Sequence, residues 1–291
     1  MHPTKELKLR IGDITFSLIS EDNFPCFEVD DVYQDFVTED KPEVILSVRY
    51  AETAKEYNFG KKIFDSGSAW SFYRRDGKYL LSICYSGKNS PPDKMAILEP
   101  DFSFGEVYIS NHWSGQPIVS DPLGYPLGEL LMINLLSLDR GALCHGCGVS
   151  EGGQGILFAG SSGAGKSTLA NLYRERKDVS VLSDDRIVIR KHEGRFWIYG
   201  TPWHGDAKVC SPKEAHLEKI FFLQQARKNK VKKIDLIKAA SRLIVSSFLP
   251  FWDKKGMEFT LNFCAELAQK IPCYVLDFIP DKRVLDLVKS I

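Results

Sequence analysis

A mixed α/β chain, β-rich at first and then alternating strand and helix, is predicted by three features of the sequence. Short runs of alternating apolar residues, separated by turn residues, fill positions 7–110. A glycine-rich loop lies in Gly155–Thr168 (GILFAGSSGAGKST), between an apolar strand and a helix start. Helical periodicity dominates the last part, at Asp235–Phe248 and 256–270. This order predicts a β-rich domain at 1–122 and a loop-bearing domain with C-terminal helices at 123–291.

Bulk properties bound the reading. At 291 residues, 44% hydrophobic and 26% charged, the chain suits one large or two ordinary globular domains. No run approaches the ~20 apolar residues that cross a bilayer, so no membrane partner is expected. The N-terminus lacks the apolar core of a signal peptide, which sets a cytoplasmic expectation. The zero net charge conceals an asymmetry. Residues 1–140 carry 14 Lys and Arg against 22 Asp and Glu, a net of −8, and residues 141–291 carry 24 against 16, a net of +8. A positive half can concentrate an anionic ligand or dock the acidic half, and neither half is basic enough to imply nucleic acid. An oligomer is compatible with all of this. Seven scattered cysteines (26, 84, 144, 147, 210, 264 and 273) read as reduced structural thiols, and Cys144-x-x-Cys147 lacks a second pair to complete a zinc tetrahedron.

Taken in order, 7–19 predicts one or two strands about a Gly12-Asp13 turn, and 28–43 a loop with partial strand. Strands are expected at 44–50, 69–75, 78–85, 95–99 and 104–110, with Arg75-Asp-Gly-Lys as a hairpin turn and 86–93 as a loop. The run 124–139 is apolar nearly all round, so it is expected as a buried helix bridging the halves. Strands at 141–149 and 155–158 follow, then the loop helix to about Arg176 and a strand at 179–183. A hairpin of 186–191 and 195–199 comes next, then a loop at 200–207 and a short strand at 220–223. Residues 227–233 (RKNKVKK) read as a solvated basic link or as a docking patch for an acidic peptide. Asp235 caps a helix to about 248, a second helix covers 256–270, and 273–279 and 281–290 form a last strand and helix.

Gly160, Ser161, Ser162, Gly163, Ala164, Gly165, Lys166 and Ser167 match G-x-x-x-x-G-K-[ST] at every fixed position, with Thr168 next. Glycines let successive backbone N–H groups curl around phosphate oxygens, and the following helix aims its positive end at the same anion. Lys166 can reach the β- and γ-phosphates, and the Ser167 hydroxyl can ligate Mg²⁺. ATP and Mg²⁺ are the expected cofactors. A strand ending in Asp184-Asp185 offers a second carboxylate-bearing wall, one group for the metal and one to take a proton from an attacking hydroxyl. Against this stands the plainer reading of a solvated pair at a hairpin. His204, Asp206 and Lys208, in the loop with Trp203, could close over an acceptor, and Lys208 or Arg186 could neutralise the transferring phosphoryl. The same loop could equally be a rigid structural turn.

The ordered set of His145-Gly146, the glycine-rich loop and Asp184-Asp185 resembles the HPr serine kinase/phosphorylase family over about 140–200, with a weaker echo at 273–289. That family shares a nucleotide-binding core with phosphoenolpyruvate carboxykinase. The sequence is similar above all to its kinase-like relatives found beside peptide-modification genes, including those that phosphorylate a serine of a lasso-peptide precursor. The resemblance implies Asp184 as general base, Asp185 assisting Mg²⁺ with Ser167, Lys166 on the β/γ-phosphates, and His145 near the γ-phosphate or orienting Asp184. Alone, His145 on an apolar strand reads as a satisfied core histidine. Two departures point away from HPr itself as substrate and leave a reverse phosphorylase activity without support. Gly200-Thr-Pro-Trp-His-Gly-Asp replaces the family's second, glutamate-bearing signature, and the N-terminal half lacks the family's usual α/β pattern. The expectation is therefore an ATP-dependent kinase acting on a Ser or Thr hydroxyl of a peptide or protein. A small-molecule hydroxyl kinase and an ATP-binding regulatory module without transfer are the rivals.

Overall fold

A computed structural model describes residues 4–21, 26–51, 57–85, 91–110 and 123–291. The loop expected at 86–93 lies largely outside them. The chain divides into two compact units. The first comprises Met1–Arg10, Ile14–Leu135 and Phe251–Asp253, and the second Ile11–Asp13, Leu136–Pro250 and Lys254–Ile291.

The first unit carries β1 (Glu6–Ile11), β2 (Ile14–Ser20), α1 (Asp31–Gln34), β3 (Val44–Ala51), β4 (Lys61–Asp65), β5 (Trp70–Arg75), β6 (Lys78–Ile83), β7 (Lys94–Leu98), β8 (Phe104–Ser110) and α2 (Leu127–Ser137). The strands form one sheet in the order β1-β2-β3-β8-β7-β6-β5-β4. Alternation builds it: Val44, Leu46 and Val48 are fully buried on one face of β3. Asp76 and Gly77, at φ 51° and 82°, make the tight turn between β5 and β6. The segment expected as loop and partial strand at 28–43 contains the one-turn helix α1 and lies along β1, where Arg10 N donates to Phe36 O at 2.8 Å. Strand β4 (KKIFD) has no counterpart in the sequence reading, because its charged residues hide the alternation. Asn134 interrupts the apolar α2 for a reason: its Oδ1 accepts from Trp252 Nε1 at 2.8 Å, and Trp252 packs edge-on against Phe64, Trp70 and Phe72.

The second unit carries β9 (Gly141–Glu151), β10 (Gln154–Ala159), α3 (Lys166–Arg174), β11 (Val179–Ser183), β12 (Arg186–His192), β13 (Arg195–Tyr199), β14 (Glu214–Gln225), β15 (Lys230–Lys233), α4 (Leu236–Ser246), α5 (Lys254–Lys270), β16 (Cys273–Phe278) and α6 (Arg283–Lys289). Its sheet runs β10-β9-β12-β13-β14-β16-β15, with β11 also on β9, and β10 pairs β14 as well, which closes five strands into a ring. Strands β10, β14 and β16 are parallel to one another, so their C-terminal ends share one edge. Alternation separates two cores. Leu157 and Phe222 join the cluster that takes in α4 and α5, whereas Phe158 and Phe221 join the one with α3 and α6. Asp235 caps α4 through its side chain, which accepts from Lys238 N at 2.9 Å.

Two expectations are corrected here. The strand expected at 220–223 is the end of the 12-residue β14, whose first half alternates Ala215 and Leu217 inward with His216 and Glu218 outward. The basic stretch expected as a link holds β15, hydrogen-bonded antiparallel to β16. Cys144 and Cys147 belong to the two different cores, and burial pushes both thiols up from the ordinary range. No helix among the described residues is long and apolar enough to cross a membrane.

Candidate active site

Fully buried Leu157 and Phe158 fix β10 between β9 and β14, and the glycine-rich loop leaves its C-terminal end. Gly165 closes the loop at φ 103°, and a Cβ there would lie 2.5 Å from Phe278 Cζ, so the backbone conformation and the packing both demand glycine. The helix α3 begins at once, and its first N–H groups have no intrahelical acceptor. Lys166 is only 6% exposed, and its Nζ donates to the carbonyls of Gly160 and Ser161, each at 3.0 Å. Burial pulls its ammonium below the usual lysine range, partly opposed by the charge of Asp185. Gln225, at the end of β14, donates from Nε2 to the Gly163 carbonyl at 2.7 Å and braces the loop from its neighbouring strand.

The Asp pair follows β11, where the chain bends and the two side chains part. Asp184 is fully buried. Its Oδ2 accepts from Ser167 Oγ at 2.8 Å and from Ala207 N at 2.9 Å, and its Oδ1 accepts from Gly205 N at 2.8 Å. A Cβ on residue 205 would stand 2.8 Å from Asp184 Oδ2, so glycine is needed for this approach. The Ser167 hydroxyl, expected beside Asp185, thus meets Asp184. Asp185 meets His145 instead, with Nε2 2.8 Å from Oδ1. A carboxylate only accepts, so Nε2 carries the proton and Nδ1 of a neutral ring is left as an acceptor. Arg186 pairs with the other Asp185 oxygen and lies over the Phe248 ring, 4.5 Å from its centroid. Burial alone would raise the Asp185 carboxyl, but the His145 hydrogen bond and the charges of Arg186 and Lys166 outweigh it and hold the group below its ordinary 3.8.

The loop, His145 and Asp185 face one cavity of about 340 Å³, and Asp184 lies behind its wall. The glycine-rich loop and the start of α3 contribute Ser162, Gly163, Gly165, Lys166, Ser167 and Thr168, and His145, Asp185, Gly205, Asp206 and Gln225 complete the lining. Of the 204–208 loop, Asp206 reaches the cavity. His204 Nδ1 sits 3.0 Å from the Gly205 carbonyl, and the exposed Lys208 holds a turn at φ 51°, both off the cavity wall. The loop's larger contribution is one the sequence reading missed, the two backbone N–H groups on Asp184. Gln225 and Phe248 were missed as well. A backbone donor has no side-chain signature, and Gln225 becomes visible only once β14 is known to lie beside β10.

One strand ties together the stretches that flank the glycine-rich loop and the Asp pair. Within β9, Gly146 and Cys147 pair with Ala159 and Phe158 before the loop, Gly148 pairs with Ser183 before the Asp pair, and His145 pairs with Arg186 after it.

The lowered Asp185 group sets a pH expectation. Its folded value lies below its unfolded one, so its stabilisation is complete above the ordinary carboxylate range and fades as pH falls through the folded value. Urea midpoints of the wild type should fall more steeply than those of Asp185→Asn between about pH 5 and pH 3. Parallel curves would mean that the carboxylate gains nothing from His145 and Arg186.

Comparison with known proteins places these features. No curated protein matches the sequence. Among solved structures, the Hpr(Ser) kinase/phosphatase from Coxiella burnetii is similar at 12% identity, covering 51% of this chain and 86% of that one, with a TM-score of 0.30. The family model described as SynChlorMet cassette protein ScmC matches residues 129–279, a span that holds His145, the glycine-rich loop, the Asp pair and Gln225. That match covers more than half of the chain, which belongs to the ScmC family.

Proposed function

We propose that this protein is an ATP-dependent phosphotransferase that moves the γ-phosphoryl group to a Ser or Thr hydroxyl of a peptide or protein. One observation carries the reading: a glycine-rich loop with its buried lysine and a His145–Asp185 dyad line a single cavity, with Asp184 held behind Ser167. In this reading the loop N–H groups and Lys166 bind the triphosphate. Ser167, on the cavity wall, would supply a hard oxygen donor to Mg²⁺, and the buried Asp184, 2.8 Å behind it, accepts the hydroxyl proton and leaves the oxygen lone pairs for the ion. When bound, that ion neutralises charge on the phosphate oxygens. The carboxylate of Asp185 and the imidazole of His145 line the same cavity as the loop and receive the acceptor proton as a unit. This reading exchanges the roles expected of the Asp pair: Asp184, sealed by three protein donors, serves the metal only through Ser167, and Asp185 serves the acceptor. Arg186 orients Asp185, and Asp206 lies where an acceptor enters.

The test incubates the full chain with γ-labelled Mg-ATP, serine-bearing peptides and hydroxylated metabolites. Label on a peptide is the expected result. Label on a metabolite alone would make the protein a small-molecule kinase, and ATP binding without transfer would make it a regulatory module. Lys166→Ala should weaken ATP binding about tenfold or more, the weight of a charge-assisted hydrogen bond, and lower transfer with it. Equal affinity in that variant would put the phosphates elsewhere.

A further inference from the structure

The basic stretch 227–233 has no part in the chemistry above, yet the fold places it beside the cavity. Gln225 lines the cavity and is itself exposed, and β14 ends there. The stretch that follows is fastened. Ala226 N donates to Phe278 O at 3.2 Å, and Asn229 Oδ1 accepts from Ile279 N at 2.9 Å. From there β15 runs antiparallel to β16, Lys230 opposite Asp277 and Lys233 opposite Tyr274, so it leads away from the cavity. Its four residues span about 13 Å. The strand ends the sheet order, with β16 on one side and no further strand on the other among the described residues.

Charge marks this edge. Arg227, Lys228, Lys230, Lys232 and Lys233 are all exposed. Lys232 approaches Asp277 at 3.5 Å, and the other four make no ion pair among the described residues. Val231 packs against the core, so the neighbouring Lys230 and Lys232 project from the opposite face. Lysines on an edge strand repel a second cationic edge, which protects against self-association. The same field attracts a strand of opposite charge. An extended acidic segment can use the open backbone edge for hydrogen bonds and the lysines for selectivity.

We propose that the open edge of β15, with the Arg227–Lys228 turn, docks an extended acidic segment of the acceptor and so leads its hydroxyl-bearing part toward the cavity. This rests on the peptide-kinase reading and names how that acceptor is recognised.

The experiment measures fluorescence anisotropy of a labelled dodecapeptide of alternating Glu and Val, added to the full chain without nucleotide. Binding is expected at about 50 mM salt, where screening is weak, and should fall as salt rises. The triple variant K230E/K232E/K233E should bind about tenfold more weakly, and a K230Q/K232Q/K233Q variant should fall between. A peptide N-methylated at alternate residues should lose binding, because it cannot complete a strand ladder. Equal binding of the N-methylated peptide, of a thymidine dodecanucleotide, or by the triple variant would overturn the proposal. Its failure is separable from that of the kinase reading. A wild type that labels a serine peptide yet ignores the acidic dodecapeptide sinks the docking edge alone. Strand-dependent peptide binding with no consumption of Mg-ATP sinks the kinase reading and leaves the edge standing.

Discussion

Asp185→Asn is expected to lower phosphoryl transfer by about 100-fold or more while Mg-ATP binding stays nearly unchanged. The asparagine keeps the shape but loses the charge. His145 Nε2 would then face a neutral amide in place of the carboxylate 2.8 Å away, and Arg186 would lose its ionic partner. The imidazole loses the anion that fixes its tautomer. Nothing in the loop or in the Ser167–Asp184 contact is touched, so the nucleotide side of the cavity should stay intact. Single-turnover transfer of labelled γ-phosphate, run beside an ATP titration, separates the two effects. Undiminished transfer would remove the dyad from the mechanism.

The second large effect concerns folding. Asp184→Ala would strand three donors, Ser167 Oγ and the N–H groups of Gly205 and Ala207, around a position that is fully buried. Each unsatisfied buried donor costs about 1–3 kcal/mol. With partial relaxation and water entry, a loss of about 3 kcal/mol is expected in urea denaturation, together with loss of Mg²⁺-dependent ATP binding. Asp184→Asn should lie between, since its amide keeps one acceptor but turns an NH₂ group toward existing donors. An alanine variant as stable as the wild type would mean that the 205–207 loop re-satisfies itself without Asp184.

The parts of this site that sequence could show are those with a side-chain signature. The loop from Gly160 to Ser167 has glycine, lysine and serine at fixed spacing, and the Asp pair stands directly after a strand. The different surroundings of the two carboxylates were not legible. They depend on which carboxylate the 205–207 backbone covers, and backbone N–H groups carry no residue code. Strands were read well where one face is buried, as in β3 and β5. The half-exposed start of β14 and the charged edges β4 and β15 escaped, because the solvated side chains there erase the period of two. The docking proposal has the same origin: what concealed β15 as a strand is what gives its edge a charge to recognise.

The short window His145–Gly148 in β9, paired at once to the strands before the loop, before the Asp pair and after it, has a consequence for how activity can be lost. Each joint opens only by breaking ladder bonds to β9 residues that adjoin those holding the other joints. A local fluctuation that loosens this window loosens the footing of the glycine-rich loop, Asp184 and Asp185 together. Gradual loosening is thereby replaced by a single cooperative step. The three components come from separate stretches of chain, but thermodynamically they behave as one part.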